Sequence, residues 1–245
     1  MNSPLLNALL VLVPLVFSAT VEAGSDPVRI LCVGDSITQG GKEKRTEYTY
    51  RYPLQKMLRA EGVSFDFIGS QHAGLQPKAT WPDIAPGIPF DPDHEGYYGH
   101  KTAEALRKVE AAWTAASPAP DIVLIHLGTN DQKNPPYVDT VQAPLREFIV
   151  FLRTKNPHVA VLLGHLNFNH SEGASAIRPL IESLATELNT VESPVRTVAH
   201  YKGWQENPKA PDPDTFDWAH PNVQGQQKMA ANWFAAIKPL LPVTR

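Results

Sequence analysis

"VRILCVGDSITQGG", residues 28–41, changes character in its middle. Val28 to Val33 is short, apolar and rich in β-branched residues, and Gly34 ends it, the pattern of a buried strand. The polar half that follows has three readings: a phosphate cradle, a nucleophile on a sharp turn, or a loop that merely ends a strand. Further along, "SFDFIG" (64–69), "DIVLIHLG" (121–128), "HVAVLLGHL" (158–166) and "SPVRTVAH" (193–200) read as strands. Between and after them, residues 48–62, 101–116, 140–157, 174–189 and 222–241 read as helices, with Pro179 inside the fourth. Strands alternating with helices predict an α/β fold with a five-stranded parallel sheet covered on both faces. "DIVLIHLG" is apolar enough to be buried on both sides, as such a sheet requires. Ligands in open parallel sheets bind beyond the carboxyl ends of the strands. The segments to inspect are therefore Gly34–Gly41, Gly128–Pro136 and Tyr201–His220. A long irregular stretch, residues 70–99, is dense in Pro, Gly and Asp; loops of that length inside a domain are usually functional.

The chain has 245 residues with 22 Lys+Arg against 25 Asp+Glu. A balance so near neutral gives no electrostatic footprint for nucleic acid or an anionic membrane surface. Residues 1–23 read as a secretory signal: Leu5 to Phe17 is mostly apolar and "VEA" precedes a cut after Ala23. Pro14 and Asn7 interrupt that run, which is too short for a membrane anchor. The expectation is an exported protein, extracellular or periplasmic, with residues 24–245 as one domain. It is expected to be a monomer without stable membrane association. Cys32 is the only cysteine and lies in an apolar run, so it reads as a small core residue. "NHS" at Asn169 is a glycosylation sequon.

The phosphate cradle fails on spacing. A P-loop needs four residues between its first Gly and Gly-Lys-Ser/Thr; counting back from Gly41-Lys42 puts Ser36 where that Gly belongs, and Glu43 where the hydroxyl belongs. The G-x-S-x-G elbow also fails, because Thr38 stands where its second Gly belongs. A serine past a strand end still suits a nucleophile if a base and oxyanion donors reach it. "DWAH", Asp217 to His220, offers a carboxylate that can orient an imidazole; with Pro221 next, it also reads as a helix start. "GTND", Gly128 to Asp131, offers the neutral amide of Asn130 as an oxyanion donor; its other reading is a loop that caps the next helix. Gly99 in "YYGHKT" can present a bare backbone N–H, or simply be a turn residue.

Taken in order, "GDSITQG", "HEGYYGHKT", "GTND" and "DWAHPN" resemble the GDSL/SGNH hydrolase family over nearly the whole chain from Val28 onward. The resemblance implies a flavodoxin-like three-layer sandwich and no metal or organic cofactor. It implies Ser36 as nucleophile, His220 as general base and Asp217 as its orienting carboxylate. It implies an oxyanion hole from the Ser36 N–H, the Gly99 N–H and the Asn130 side chain. "GDSIT" and "HEGYYGHKT" look most like carbohydrate esterases of family three, which include acetylxylan esterases. Tyr98 stands where that block usually carries Ser.

The implied substrate is a small-molecule or polysaccharide ester, in the first place an acetylated polysaccharide such as xylan. Aromatic residues flank the expected site: Trp81, Phe90, Tyr97 and Tyr98 on one side, Trp204 and Trp218 on the other. Of these, Tyr97, Tyr98, Trp81 and Trp218 are the expected substrate contacts, since a sugar's C–H face stacks on aromatic rings. Each of them also reads as an ordinary core or loop anchor. Lysophospholipid or thioester hydrolysis is the alternative chemistry, and a non-catalytic carbohydrate binder on the same fold is the alternative class. "DPDHEG", Asp91 to Gly96, imitates the start of a calcium loop, but Thr102 stands at its twelfth place instead of Glu. Asp212 and Asp214 form another acidic pair, and His126 and His165 lack zincin spacing.

Overall fold

The computed structural model describes residues 26–41, 49–76 and 82–241. The expected leader, residues 1–23, and Trp81 lie outside the described residues. Strand β1 (Val28–Gly34) is the hub. It pairs in parallel with β2 (Phe65–Ile68) on one side. On the other side it pairs in parallel with β4 (Ile122–His126). The sheet continues through β5 (Ala160–Gly164) to β6 (Val195–Val198), in the order β2-β1-β4-β5-β6. This is the expected five-stranded parallel sheet, with one addition. A two-residue strand, β3 (Glu95–Gly96), runs parallel to the last residues of β1, Val33 and Gly34. It continues the pairing where β2 has stopped, and it brings the end of the long 70–99 stretch beside the residues that lead into Ser36.

The strands alternate between two cores, as the period-2 pleat requires. Leu31 and Val33 of β1, Val123 and Ile125 of β4, and Val161 and Leu163 of β5 face one core. Helices α3 (Thr102–Ala112), α4 (Ala143–Lys155) and α5 (Glu172–Leu188) cover it with Leu106, Phe148, Leu152 and Ile177. Ile30, Cys32, Leu124 and Leu162 face the other core, under α2 (Arg51–Ala60) and α6 (Val223–Ile237). Each large apolar side chain buried this way contributes about 1.5–3 kcal/mol. Cys32 is buried in the second core, where desolvation pushes its thiol up to about 12, so it is inert.

Helix ends depart from the pattern-based bounds by a few residues throughout, and most, by four, in two places. Helix α3 stops at Ala112, because Trp113 leaves it in extended backbone and meets Phe151 edge-on at 5.5 Å. Helix α6 ends at Ile237 and tightens into a 3-10 turn, Lys238–Leu240, around Pro239. Helix α5 runs straight through Pro179. No helix among the described residues is long and apolar enough to cross a membrane.

Candidate active site

Ser36 is the first residue of α1 (Ser36–Gln39), a single turn begun directly at the carboxyl end of β1. Asp35 caps that turn: its Oδ1 accepts from the Ile37 N–H at 2.9 Å. Two further contacts pin the turn from outside. The buried Arg51 guanidinium donates to the carbonyls of Thr38, Gln39 and Pro92, at 3.0, 3.3 and 2.8 Å. Gly96 of β3 passes so close that a Cβ there would lie 2.5 Å from the Gln39 nitrogen.

The three residues expected to work together meet. His220 Nε2 lies 2.9 Å from Ser36 Oγ, across 184 residues of sequence. On the other side of the ring, Nδ1 lies 2.9 Å from both carboxylate oxygens of Asp217. Asp217 Oδ1 also accepts from the backbone N–H groups of Ala219 and His220, at 2.9 and 2.8 Å. The carboxylate thus accepts a hydrogen bond from Nδ1–H and leaves the Nε2 lone pair facing the serine hydroxyl, the tautomer a general base needs. "DWAH" is not the helix start: Asn222 caps α6, its side chain accepting from the Gly225 N–H.

Gly99 and Asn130 sit on two loops that are tied together. Gly99 has φ +72 with open space where a side chain would point, in the left-handed region that glycine enters without strain. The Asn130 amide donates to the His100 carbonyl at 2.9 Å. Asp131, next in sequence, does not cap a following helix. Its Oδ2 reaches back to accept from the N–H and hydroxyl of Thr102, both at 2.9 Å, and so caps α3. The 97–102 segment is held against the Ser36 turn as well, since Tyr97 N–H donates to the Gly34 carbonyl and Tyr98 N–H to Gln39 Oε1.

The profile of the GDSL-like lipase/acylhydrolase family matches residues 32–228. The chain belongs to that family. A multidomain esterase of Ruminococcus flavefaciens is 23% identical over 245 residues, covering 90% of this chain and 30% of that protein. The chain thus spans less than a third of that relative's length. Among solved structures, a carbohydrate esterase of family 3 from Talaromyces cellulolyticus is 27% identical, with a TM-score of 0.70, covering 87% of this chain and 97% of that one. An acetyl esterase mutant solved with an acetate ion matches with the same identity, coverage and TM-score. The matched residues form a carboxylic ester hydrolase domain.

Around Ser36, His220 and Asp217 the aromatic residues divide. Tyr98 stacks on His220, with planes 5° apart and centroids at 6.0 Å, and Phe216 stacks on the same ring at 5.7 Å. Trp218, 61% exposed, lies parallel to Phe168 at 6.2 Å. These two border a cleft of about 870 Å³ lined also by Thr129, Asn130, Gln132 and Lys133. Tyr97 turns the other way. Its hydroxyl donates to Glu95 at 2.5 Å and its ring packs on the core under α3. Trp204 is buried in the second core.

The acidic segments are occupied by protein donors. Asp91 accepts from the Phe67 and Asp93 N–H groups, and Glu95 from the Ser70 N–H and hydroxyl. Asp214 accepts from the Gln205 N–H and from Lys228 Nζ. Both hydrogens of the Asn169 amide are engaged, by the carbonyls of Tyr201 and Trp204. Sequence patterns missed Asp35, Gln39, Arg51 and Asp131 as supports of the site; only Asp35 and Asp131 carried a signal, as neighbours of Ser36 and Asn130.

Proposed function

We propose that the protein is an exported serine esterase that removes acetyl or other short acyl groups from a carbohydrate, such as acetylated xylan. The observation that carries this reading is the 2.9 Å contact between Ser36 Oγ and His220 Nε2, with Asp217 on the far side of the ring. Ser36 attacks the ester carbonyl while His220 takes its proton. The tetrahedral oxyanion sits among the N–H groups of Ser36 and Gly99 and the Asn130 amide, each donor worth roughly 3–4 kcal/mol in the transition state. His220 then protonates the departing alcohol, and water activated by the same imidazole releases the acid. Asn130 supports the oxyanion role because it lines the cleft that Trp218 borders. That exposed indole suits a sugar ring better than an acyl chain alone. The match to family 3 carbohydrate esterases adds weight to the carbohydrate, and residues 1–23 to export.

The test is release of acetate from acetylated xylan, set against long-chain esters, thioesters and lysophospholipid, with wild type and Ser36→Ala. Fast acetate release that Ser36→Ala abolishes is expected. Preference for the long-chain or lysophospholipid substrates would move the protein to the alternative chemistry. Failure of an organophosphonate to label Ser36 would make it a binding protein. Amino-terminal sequencing of the exported form should begin at Gly24.

A further inference from the structure

We propose that Glu206 is a positioning residue that sets the width of the substrate cleft, by fastening the loop between β5 and α5 to the segment that leads into Asp217 and Trp218. The proposal rests on the carbohydrate esterase reading above. Phe168, Ser171, Glu172 and Gly173 form one wall of the cleft, and Trp218 borders it from the turn that holds Asp217 and His220. Residues 165–171, between β5 and α5, belong to no strand or helix. Glu206 takes the backbone N–H groups in the middle of this loop. Its Oε2 accepts from Asn169 N–H, and its Oε1 from His170 N–H at 3.1 Å and His170 Nδ1–H at 2.9 Å. Hydrogen bonds to an ionised carboxylate are stronger than neutral ones. The Asn169 side chain spans the same joint, donating to the carbonyls of Tyr201 and Trp204 at 3.0 and 3.2 Å.

Glu206 is itself anchored on the side of the triad. The Thr215 hydroxyl donates to its carbonyl at 3.3 Å. Gln205 exchanges hydrogen bonds with Asp214: its N–H donates to Oδ2 at 2.7 Å, and its carbonyl accepts from the Asp214 N–H at 2.9 Å. Thr215 in turn pairs with Pro221 in an isolated antiparallel bridge, which closes the turn that contains Asp217, Trp218 and His220. The wall and the Trp218 turn are therefore referred to one another through Glu206. Elsewhere the wall has its own supports. Arg178 donates to the Phe168 carbonyl at 3.1 Å, and the Ser171 hydroxyl donates to Gln132 Oε1. Residues 169 and 170 are the stretch left for Glu206 to fix. Both are exposed, so water would satisfy their N–H groups if the carboxylate were removed. The carboxylate, only 18% exposed, is set between the two segments and not out in solvent. Satisfying the backbone does not require it; holding the two sides of the cleft at a fixed separation does.

The test is steady-state kinetics on two substrates: an acetylated xylo-oligosaccharide, and p-nitrophenyl acetate as a much smaller ester. Glu206→Ala should raise KM for the oligosaccharide by about 3- to 10-fold relative to KM for the aryl ester, the effect of one lost hydrogen-bonded anchor. The kcat on the oligosaccharide should be nearly unmoved. Asn169→Ala cuts the same joint from the other side and should do the same; it carries the test if Glu206→Ala does not fold. Glu206→Gln keeps an acceptor oxygen for His170 and should recover part of the loss. An unchanged KM ratio in the alanine variants overturns the proposal. So does a fall in kcat on both substrates at an unchanged ratio, which makes Glu206 a support of the fold. Glu206→Gln no better than Glu206→Ala overturns it too. A wild-type protein without Ser36-dependent hydrolysis of either ester overturns the esterase reading and this proposal together. One that cleaves the aryl ester but not the oligosaccharide overturns the carbohydrate substrate, and this proposal with it. A wild type active on both, with unaffected alanine variants, overturns this proposal alone.

Discussion

The side-chain amide of Asn130 donates to the carbonyl of His100 at 2.9 Å, and thereby ties the loop after β4 to the turn that contains Gly99. A primary amide has two N–H groups. One is spent on this tie, and the other remains for the oxyanion in the proposed mechanism. Asn130→Ala removes both the donor and the tie. It should lower kcat on an acetate ester by about 10²–10³-fold, the usual cost of one oxyanion donor. Asn130→Asp should be at least as damaging, since it sets a carboxylate against both the His100 carbonyl and the oxyanion. If either change moved KM and left kcat intact, Asn130 would belong to substrate binding.

Asp217 accepts from His220 Nδ1–H and from the backbone N–H groups of Ala219 and His220. Asn in its place can keep one oxygen on the backbone donors but puts an NH₂ where the second oxygen meets Nδ1. The imidazole then favours the tautomer with its proton on Nε2, facing the serine the wrong way. Asp217→Asn should therefore lower kcat by about 10⁴-fold with the fold intact. A loss below about tenfold, with unchanged circular dichroism, would remove Asp217 from the proposed triad.

The strand-helix alternation was legible because buried parallel strands are short apolar runs and their helices are amphipathic over several turns. Ser36, Asp217 and His220 were legible because each sits in a compact local pattern at an element's end. The supports of the site were not. Asp131 grips Thr102 from 29 residues away, and Gln39 grips Tyr98 from 59. Arg51 reaches Pro92 across 41. Such contacts depend on how elements pack, which no window of sequence contains. Tyr97 and Tyr98 show the limit most plainly. They are neighbours of one residue type, yet the first turns to Glu95 and the core while the second turns to His220. Which goes where is set by β3 pairing with the end of β1, and a two-residue strand leaves no periodic signal.

Four buried histidines should make the fold sensitive to acid. His126 is fully buried, and desolvation drives it from 6.5 to about 4. Burial lowers His94, His165 and His200 as well. Below pH 6.5 the unfolded chain takes up protons at these sites while the folded chain does not until the pH nears the lowered values. Stability present above 6.5 is therefore lost as pH falls towards 4. His126 alone accounts for about 3 kcal/mol of that loss, because holding a site unprotonated costs about 1.4 kcal/mol for each pH unit below its ordinary value. The urea midpoint should fall steadily from pH 7 to pH 4. A ring titration of His126 near pH 6.5 would contradict this.

Asp35 works in the opposite direction. It is fully buried, one oxygen caps the helix that Ser36 begins, and the other, Oδ2, has no hydrogen-bond partner. Burial raises its carboxyl from 3.8 to about 7, with the Ile37 N–H opposing the rise and nearby Asp131 adding to it. The unfolded chain ionises at 3.8 while the folded chain keeps the proton to about 7. The stability Asp35 contributes is thus whole below 3.8 and lost as pH rises to 7. Asn imitates the neutral acid, keeps the cap through its Oδ1 and offers N–H groups in place of the bare oxygen. Relative to wild type, Asp35→Asn should gain stability as pH rises from 4 to 8, by about 4 kcal/mol at most. Paired urea melts across that range provide the measurement. A difference between the two proteins that stays constant with pH would mean that Asp35 does not hold a proton in the folded state.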